Sequence, residues 1–134
     1  MAAVTQDHPN LALLQRLDPR NMAASTDLFA EDAVFHYFNP NLPELQGDHA
    51  GHDGIRAFFE SLAEMSHGTF RIEPVSATPV GNELVVVQSR NTLTLGERTV
   101  TVDVVVVWRF ADGRIVEAWD IVPGQPTEVH DAGR

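Results

Sequence analysis

The stretch TVTVDVVVVWRFADGRIVEAWDIV, which spans Thr99 to Val122, decides the fold of this chain. Valines and aromatic residues dominate both halves of the stretch, and such residues favour β-strands. The halves meet at Ala111-Asp112-Gly113, where Asp-Gly is a turn signal because its glycine can adopt a positive φ. The stretch therefore predicts two antiparallel strands that are joined by a tight turn.

A three-residue turn sets the expected pairing of this hairpin. Such a turn places Phe110 opposite Arg114 and Val104 opposite Asp120. Paired residues share a face, so one face is expected to carry the carboxylate of Asp120 in an apolar surrounding. That surrounding raises the pKa of a carboxyl group toward the range useful for proton transfer, which makes Asp120 the candidate catalytic residue. The residues expected on this face are Val100, Val102, Val104, Val106, Trp108, Phe110, Val116, Ala118 and Asp120.

The opposite face of the same hairpin is also apolar. Monomeric proteins rarely expose a large contiguous apolar patch. We therefore expect a homodimer in which this face of one subunit covers the same face of the other. The residues of the expected interface are Val105, Val107, Ile115, Trp119 and Ile121.

The preceding hairpin, with a two-residue turn at Gly96-Glu97, adds polar residues to the face of Asp120. Its register pairs Arg90 with Asp103, whereas a register shifted by one residue would turn Arg90 inward. The pairing of opposite charges favours the first register. The polar residues that it places on the Asp120 face are Ser89 and Asn91.

Helical patterns come first in the chain. Leucines predict a short helix that ends at Asp18-Pro19, and Asn21 can cap a second helix. A strand is expected over Ala33–Asn39. A longer helix begins near Asp53, and the apolar residues that form its core-facing stripe are Ile55, Phe58, Phe59, Leu62 and Met65. Helices followed by an antiparallel meander predict an α+β fold.

The expected domain covers residues 9–122 of the 134-residue chain, a length that suits one domain with its own core. Residues 1–8 are interpreted as a disordered lead, residues 44–51 as a loop, and residues 123–134 as a tail with little to bury.

Composition excludes several classes of function. The net charge is −10 with nine Lys and Arg, so nucleic acids and anionic membranes would be repelled. Without cysteine, disulfides, thiolate chemistry and Cys-ligated zinc are excluded. His49 and His52 have the spacing of a possible metal pair, but a solvated loop is the favoured interpretation, and no metal or cofactor is expected. No signal peptide or membrane-length apolar run is visible, so we expect a soluble, cytoplasmic protein.

Three segments resemble the SnoaL-like proteins of the nuclear-transport-factor-2-like superfamily. They are Leu28–Val34 (LFAEDAV), Gly51–Phe59 (GHDGIRAFF) and Trp108–Asp120 (WRFADGRIVEAWD), and Asn39-Pro40 also matches. The resemblance covers roughly residues 10–122. It implies a cone-shaped α+β barrel, with the N-terminal helices packed in the concave face of a curved, mainly antiparallel sheet.

The same resemblance implies a reaction. SnoaL-like polyketide cyclases close a ring by intramolecular aldol condensation without a metal or cofactor, and an aspartate in the last strand, which Asp120 matches, acts as general acid and base. The expected partner is a hydrophobic, carbonyl-bearing small molecule, with no nucleic acid and no membrane. The residues expected to bind it are Tyr37, Asn39, Phe58, Asn91, Val104, Val106, Trp108 and Ala118.

Departures from the cyclase pattern keep other functions open. Val106 and Ala118 stand where histidines occur in related cyclases, which favours a binding module that sequesters an apolar metabolite without chemistry. A dimeric accessory protein with a cone filled by side chains is a third interpretation. Ketosteroid isomerase chemistry is disfavoured, because its tyrosine, base and acid align with Leu13, Tyr37 and Val106.

Overall fold

The computed structural model describes residues 8–18, 21–125 and 128–131. Its helices are α1 (Pro9–Gln15), α2 (Met22–Ser25), which runs into a 3₁₀ turn at Thr26–Leu28, and α3 (Gly51–Met65). Its strands are β1 (Phe29–Phe38), β2 (Gly47–Ala50), β3 (Arg71–Val80), β4 (Leu84–Leu95), β5 (Arg98–Ala111), β6 (Arg114–Ile121) and β7 (Glu128–Asp131). The predicted α+β class is confirmed. None of the helices in these ranges has the length and apolar character needed to cross a membrane.

The strands form one mixed sheet in the order β2-β1-β6-β5-β4-β3, and β7 pairs with the beginning of β5. Among the described strands, β1 and β6 pair in parallel while the other pairs are antiparallel. The parallel pair sets Tyr37 directly beside Asp120. Residues that are far apart in the sequence therefore meet in the middle of the sheet.

Helix α3 covers the inner face of the sheet at β1. Its residues Ile55, Phe58, Phe59 and Leu62 are buried, as the helical spacing predicts, while Met65 is half-buried. The helix begins at Gly51, where φ is +74° and an added Cβ would lie 3.4 Å from the carbonyl oxygen of Glu31. Glycine is required at this position because other residues rarely adopt a positive φ.

The predicted β4–β5 register is confirmed. Arg90 pairs with Asp103, and the Nε atom of Arg90 lies 3.1 Å from Oδ1 of Asp103 on the outer face. Ser89 and Asn91 point to the inner face and are buried. The pairing of opposite charges and the matching of polar with polar residues therefore indicated the correct register.

The predicted three-residue turn between β5 and β6 is wrong. The turn has two residues, Asp112 and Gly113, with φ values of +53° and +76°. A bulge follows, so that Val106, and not Val104, lies opposite Asp120. This shift of two residues leaves Asp120 on the expected face, because side chains alternate with a period of two.

The bulge also corrects the expected interface. Ile115 pairs with Phe110 and is fully buried at 0% exposure, whereas the sequence analysis placed it on the outer face. Val116 is the extra residue of the bulge, so the side chains before it have the opposite orientation to the predicted one. The outer face keeps the other four residues of the expected interface, which are Val105, Val107, Trp119 and Ile121.

Two further segments differ from their predictions. Residues 44–51 were expected to form a loop but include β2, and β1 begins at Phe29, four residues earlier than Ala33. The expected tail contributes β7. Residues 1–7 of the expected lead lie outside the described residues, while the ring of His8 caps α1 by accepting a hydrogen bond from the backbone nitrogen of Asn10 at 3.2 Å.

Candidate functional site

Asp120 lies on the inner face in an apolar part of the sheet. It stands between Tyr37 of β1 and Val106 of β5, and the next row of the sheet holds Ala118 beside Trp108. Adjacent cross-strand side chains of this kind are in contact range. The predicted pocket residues that are less than a tenth exposed around Asp120 are Tyr37, Val104, Val106, Trp108 and Ala118.

The carboxyl group of Asp120 has no hydrogen-bond partner in the part of the chain that the structure describes. Its Oδ1 atom is buried without a hydrogen bond, while the residue as a whole is half-buried and therefore still reachable. Burial raises the pKa of the Asp120 carboxyl to about 7. Burying a charged oxygen without compensation is costly, and such groups cluster at functional sites.

Tyr37 lies next to Asp120 on the neighbouring strand, and its hydroxyl group can donate a hydrogen bond. It accepts a hydrogen bond from Nδ2 of Asn39 at 2.9 Å, and no described residue accepts its proton. Burial raises the pKa of Tyr37 to about 12, the hydrogen bond from Asn39 opposes that rise, and the negative charge of Asp120 adds to it. Tyr37 therefore stays protonated at neutral pH.

Asn39 is engaged mainly with the protein itself. Its Oδ1 atom accepts a hydrogen bond from the backbone nitrogen of Asn41, and its own backbone nitrogen donates to Oε1 of Gln46, both at 3.0 Å. These bonds fix the turn after β1 and orient the amide toward Tyr37. Asn39 thus positions Tyr37, and its predicted contact with a substrate stays a prediction.

Asn91 lies on the same inner face as Asp120 but at a distance from it. It pairs with Val102, four residues along β5 from Val106. Its Oδ1 atom accepts a hydrogen bond from Oγ of Ser89 at 2.9 Å. The structure therefore separates two polar places on the inner face, where the sequence analysis expected one pocket.

Phe58 forms the support behind Tyr37. Its ring centroid lies 4.6 Å from that of Tyr37 and 4.7 Å from that of His49. Sequence reasoning missed His49 as a neighbour of the site, because only the β1–β2 pairing brings it there.

His49 and His52, whose spacing is that of a possible metal pair, form hydrogen bonds with the backbone. Nε2 of His49 donates to the carbonyl oxygen of Leu45 at 2.7 Å, and Nε2 of His52 donates to that of Phe29 at 2.9 Å. Within the described ranges, no group of three His, Asp or Glu side chains is arranged to hold a metal ion.

A charged network occupies the outer face behind the site. His36 donates to Asp48 at 2.7 Å and to Glu117 at 2.6 Å, and Glu117 accepts from Arg109 at 3.0 Å. Burial lowers the pKa of His36, but the hydrogen bonds to the two carboxylates outweigh it and leave the pKa raised. The bond from His36 and then that from Arg109 lower the pKa of Glu117. The His36 ring also stacks on Trp119, with 5.5 Å between centroids.

The mixed sheet with helices packed on its inner face has the fold of the nuclear-transport-factor-2-like class, as in a structure from Burkholderia pseudomallei that is 24% identical with a TM-score of 0.69 and coverages of 91% and 90%. Within that class, the SnoaL-like domain family model matches residues 11–118. The chain therefore belongs to the SnoaL-like domain family. No curated protein matches the sequence.

Solved structures share the fold. TerC, crystallised with polyporic acid, is 24% identical with a TM-score of 0.74, and the match covers 86% of this chain and 92% of TerC. Bal32a, from a soil-derived mobile gene cassette, is 26% identical with a TM-score of 0.70 and coverages of 90% and 88%. A candidate SnoaL-like polyketide cyclase from Jannaschia sp. CCS1 is 18% identical with a TM-score of 0.70 and coverages of 85% and 85%. These similarities establish the fold.

Proposed function

We propose that this protein is a cofactor-independent acid/base enzyme that acts on a hydrophobic, carbonyl-bearing small molecule such as a polyketide. The observation that carries the proposal is the Asp120 carboxyl, whose Oδ1 atom is buried without a hydrogen-bond partner and whose pKa is about 7. A group with this pKa serves both as base and as acid near neutral pH. Membership of the SnoaL-like family and the similarity to a candidate polyketide cyclase support the substrate class.

In the proposed reaction, the Asp120 carboxylate removes a proton from the carbon next to the substrate carbonyl. The electron pair of the broken C–H bond forms the C=C bond of an enolate, and negative charge moves to the carbonyl oxygen. The hydroxyl of Tyr37 donates a hydrogen bond to that oxygen, and a donor aimed at developing charge lowers the barrier.

Two outcomes follow from the enolate. In an aldol cyclisation, its carbon attacks a second carbonyl of the same molecule, and the protonated Asp120 gives its proton to the new alkoxide. In an isomerisation, Asp120 returns the proton to a different carbon. The apolar side chains of Val104, Val106, Trp108 and Ala118 would exclude water from either reaction and strengthen its electrostatic interactions.

Deuterium exchange tests the proposal without knowledge of the natural substrate. The methyl hydrogens of 4-acetylbiphenyl exchange in D₂O through an enolate, and NMR follows the exchange. The wild-type protein should accelerate it, Asp120→Asn should lose about 10²–10⁴ of that rate, and Tyr37→Phe should lose about 10². Asp103→Asn, on the outer face of the neighbouring strand, should keep the wild-type rate. Full exchange by Asp120→Asn would contradict the proposal.

A binding protein without chemistry is the second candidate. It is favoured by the residue opposite Asp120, which is Val106, and by the pKa of Tyr37 near 12, which leaves Asp120 without a second titrating partner near neutral pH. Such a protein should bind 4-acetylbiphenyl without accelerating exchange. Asp120→Asn should then leave the affinity almost unchanged.

We also propose that two copies associate through the outer face of the sheet. Ile121 lies between Phe38 and Val105 in one row, and these three side chains are 47%, 53% and 39% exposed. Trp119 and Val107 lie in the next row. An apolar row of this kind across three strands is suited to a self-complementary sheet contact.

A further inference from the structure

We propose that Asn91 is a second recognition point of the inner face, which donates a hydrogen bond to an acceptor oxygen at the far end of an elongated, apolar ligand. The near end of that ligand is the carbonyl group at Asp120, and in this respect the inference rests on the proposed function. It adds the length of the ligand and the chemistry of its second end.

The first supporting observation is the orientation of the Asn91 amide group. Ser89 donates its hydroxyl hydrogen to Oδ1 of Asn91 at 2.9 Å, which engages the amide oxygen and leaves the Nδ2 amino group as a donor. No described residue accepts from this amino group. Asn91 is 8% exposed and Ser89 is 2% exposed, so solvent has little access to either. The amino group still has accessible surface, since Asp120 Oδ1 is the buried side-chain atom without a partner among the described residues, so an oxygen of a ligand could reach Nδ2 and accept its hydrogen bond.

The second supporting observation is the position of Ser89 and Asn91 within β4. The other side chains that β4 turns inward are apolar, namely Val85, Val87, Leu93 and Leu95. Ser89 and Asn91 occupy two adjacent inward positions of β4 and interrupt this apolar row with a polar pair. Apolar residues there would bury more favourably, because they carry no polar groups that lose contact with water. The polar pair is thus placed where recognition, and not packing, explains it.

The third supporting observation is the spacing between Asn91 and Asp120 on the sheet. Val106 pairs with Asp120 and Val102 pairs with Asn91, so the two polar places lie four residues apart along β5, on the strands that flank it. With about 3.3 Å per residue and about 4.8 Å between strands, the Cα atoms would be about 16 Å apart on a flat sheet. The inward direction of both side chains on a concave face shortens the gap between their polar atoms.

The inner-face side chains between the two places are apolar, since Val104 and Val106 lie there on β5. A ligand that reaches both ends therefore has a carbonyl group, an apolar multi-ring or long-chain body, and a carbonyl, ether or hydroxyl oxygen at its other end. Small carbonyl metabolites cannot reach Asn91 from Asp120.

A matched pair of probes tests this inference. The compound 4-acetyl-4′-methoxybiphenyl has an acceptor oxygen at the far end, and 4-acetyl-4′-ethylbiphenyl has a methylene group in its place. Isothermal titration calorimetry should show that the wild-type protein binds the methoxy compound roughly five- to tenfold more tightly. Asn91→Leu should remove this preference without weakening the binding of the ethyl compound. Ser89→Ala, which releases the amide oxygen, should reduce the preference while retaining Asn91.

Each outcome decides the inference separately from the proposed function. Equal affinities in the wild-type protein, a preference that survives in Asn91→Leu, or no binding of either compound would overturn it. Asp120→Asn should keep the preference for the methoxy compound, because that end lies away from the carboxyl group. Loss of deuterium exchange in Asp120→Asn together with equal affinities would therefore leave the proposed function standing and remove the role of Asn91. A preference for the methoxy compound without any deuterium exchange by the wild-type protein would support the role of Asn91 and remove the proposed function.

Discussion

Replacing Asp120 with asparagine should stabilise the folded protein at neutral pH, although it removes the proposed catalytic group. The pKa of this carboxyl is about 7 in the folded chain because the group is buried. In the unfolded chain its pKa is about 3.9. The folded state therefore binds more protons between these two values, and the stability contributed by Asp120 falls as the pH rises from about 4 to about 7.

The size of the effect follows from the two pKa values. A difference of about three in pKa corresponds to about 4 kcal/mol of unfolding free energy at a pH well above 7, as an upper bound. Asp120 is half-buried, so solvent reduces this amount. The new amide would also lack partners, which costs about 1–3 kcal/mol. We expect Asp120→Asn to gain about 1–2 kcal/mol at pH 8 and to lose stability at pH 4, where only the cost of the unpartnered amide, about 1–3 kcal/mol, remains.

Urea denaturation at pH 4, 6 and 8 measures this difference directly. Asp103→Asn is the matched control, because it makes the same chemical change in an exposed pair with Arg90, where the expected loss is about 0–1 kcal/mol. NMR titration of the Asp120 carboxyl gives its pKa independently. The reasoning fails if Asp120→Asn lowers stability equally at every pH and the carboxyl titrates at or below about 3.9.

The remaining predictions concern assembly, the outer-face network and metals. Sedimentation equilibrium of the wild-type protein should give twice the chain mass of 14.8 kDa, and Trp119→Glu should weaken the dimer, whereas a folded wild-type monomer would rule it out. Because the pKa of His36 is raised, its stabilising contribution is fully present below pH about 6.5 and is lost as the pH rises through the pKa of the folded state. In the Asp120→Asn background, His36→Gln should abolish this pH dependence of the unfolding free energy in urea denaturation. An unchanged pH profile would argue against the role of His36. A chelator should leave the melting temperature unchanged, and elemental analysis showing one transition metal per chain would restore His49 and His52 as candidate ligands.

Local pattern predicted most of the fold because each signal had a physical cause within a few residues. The stripe of α3 follows from helical spacing, and the β4–β5 register follows from the opposite charges of Arg90 and Asp103. The fold family also followed from local segments, and the match over residues 11–118 confirms it.

The β5–β6 turn lies beyond such reasoning. Ile115 and Val116 are both β-branched and apolar, so the pattern contains nothing to show which of them is buried. Asp112 adopts a positive φ that the sequence analysis reserved for Gly113. The orientation of Asp120 was nevertheless predicted correctly, because the shorter turn and the bulge together displaced the pairing by two residues.

The neighbours of Asp120 depend on tertiary pairing. Tyr37 reaches Asp120 through the parallel β1–β6 contact, for which no turn signal exists in the sequence. The separation of Asn91 from Asp120 likewise required the observed register, since the sequence analysis grouped all inward residues into one pocket. The polar partners within the site were thus harder to predict than the acid itself.

The parallel β1–β6 contact has a consequence for protein synthesis. On the ribosome, β1 emerges early and can pair on one side with β2, but its other edge has no partner until β6 has been translated. An open strand edge is a template for pairing with other chains, and contacts between distant segments form slowly. Newly made chains should therefore be most prone to aggregate before β6 emerges, and a ribosome stalled at residue 110 should carry a chain whose β1 edge is still open to other strands.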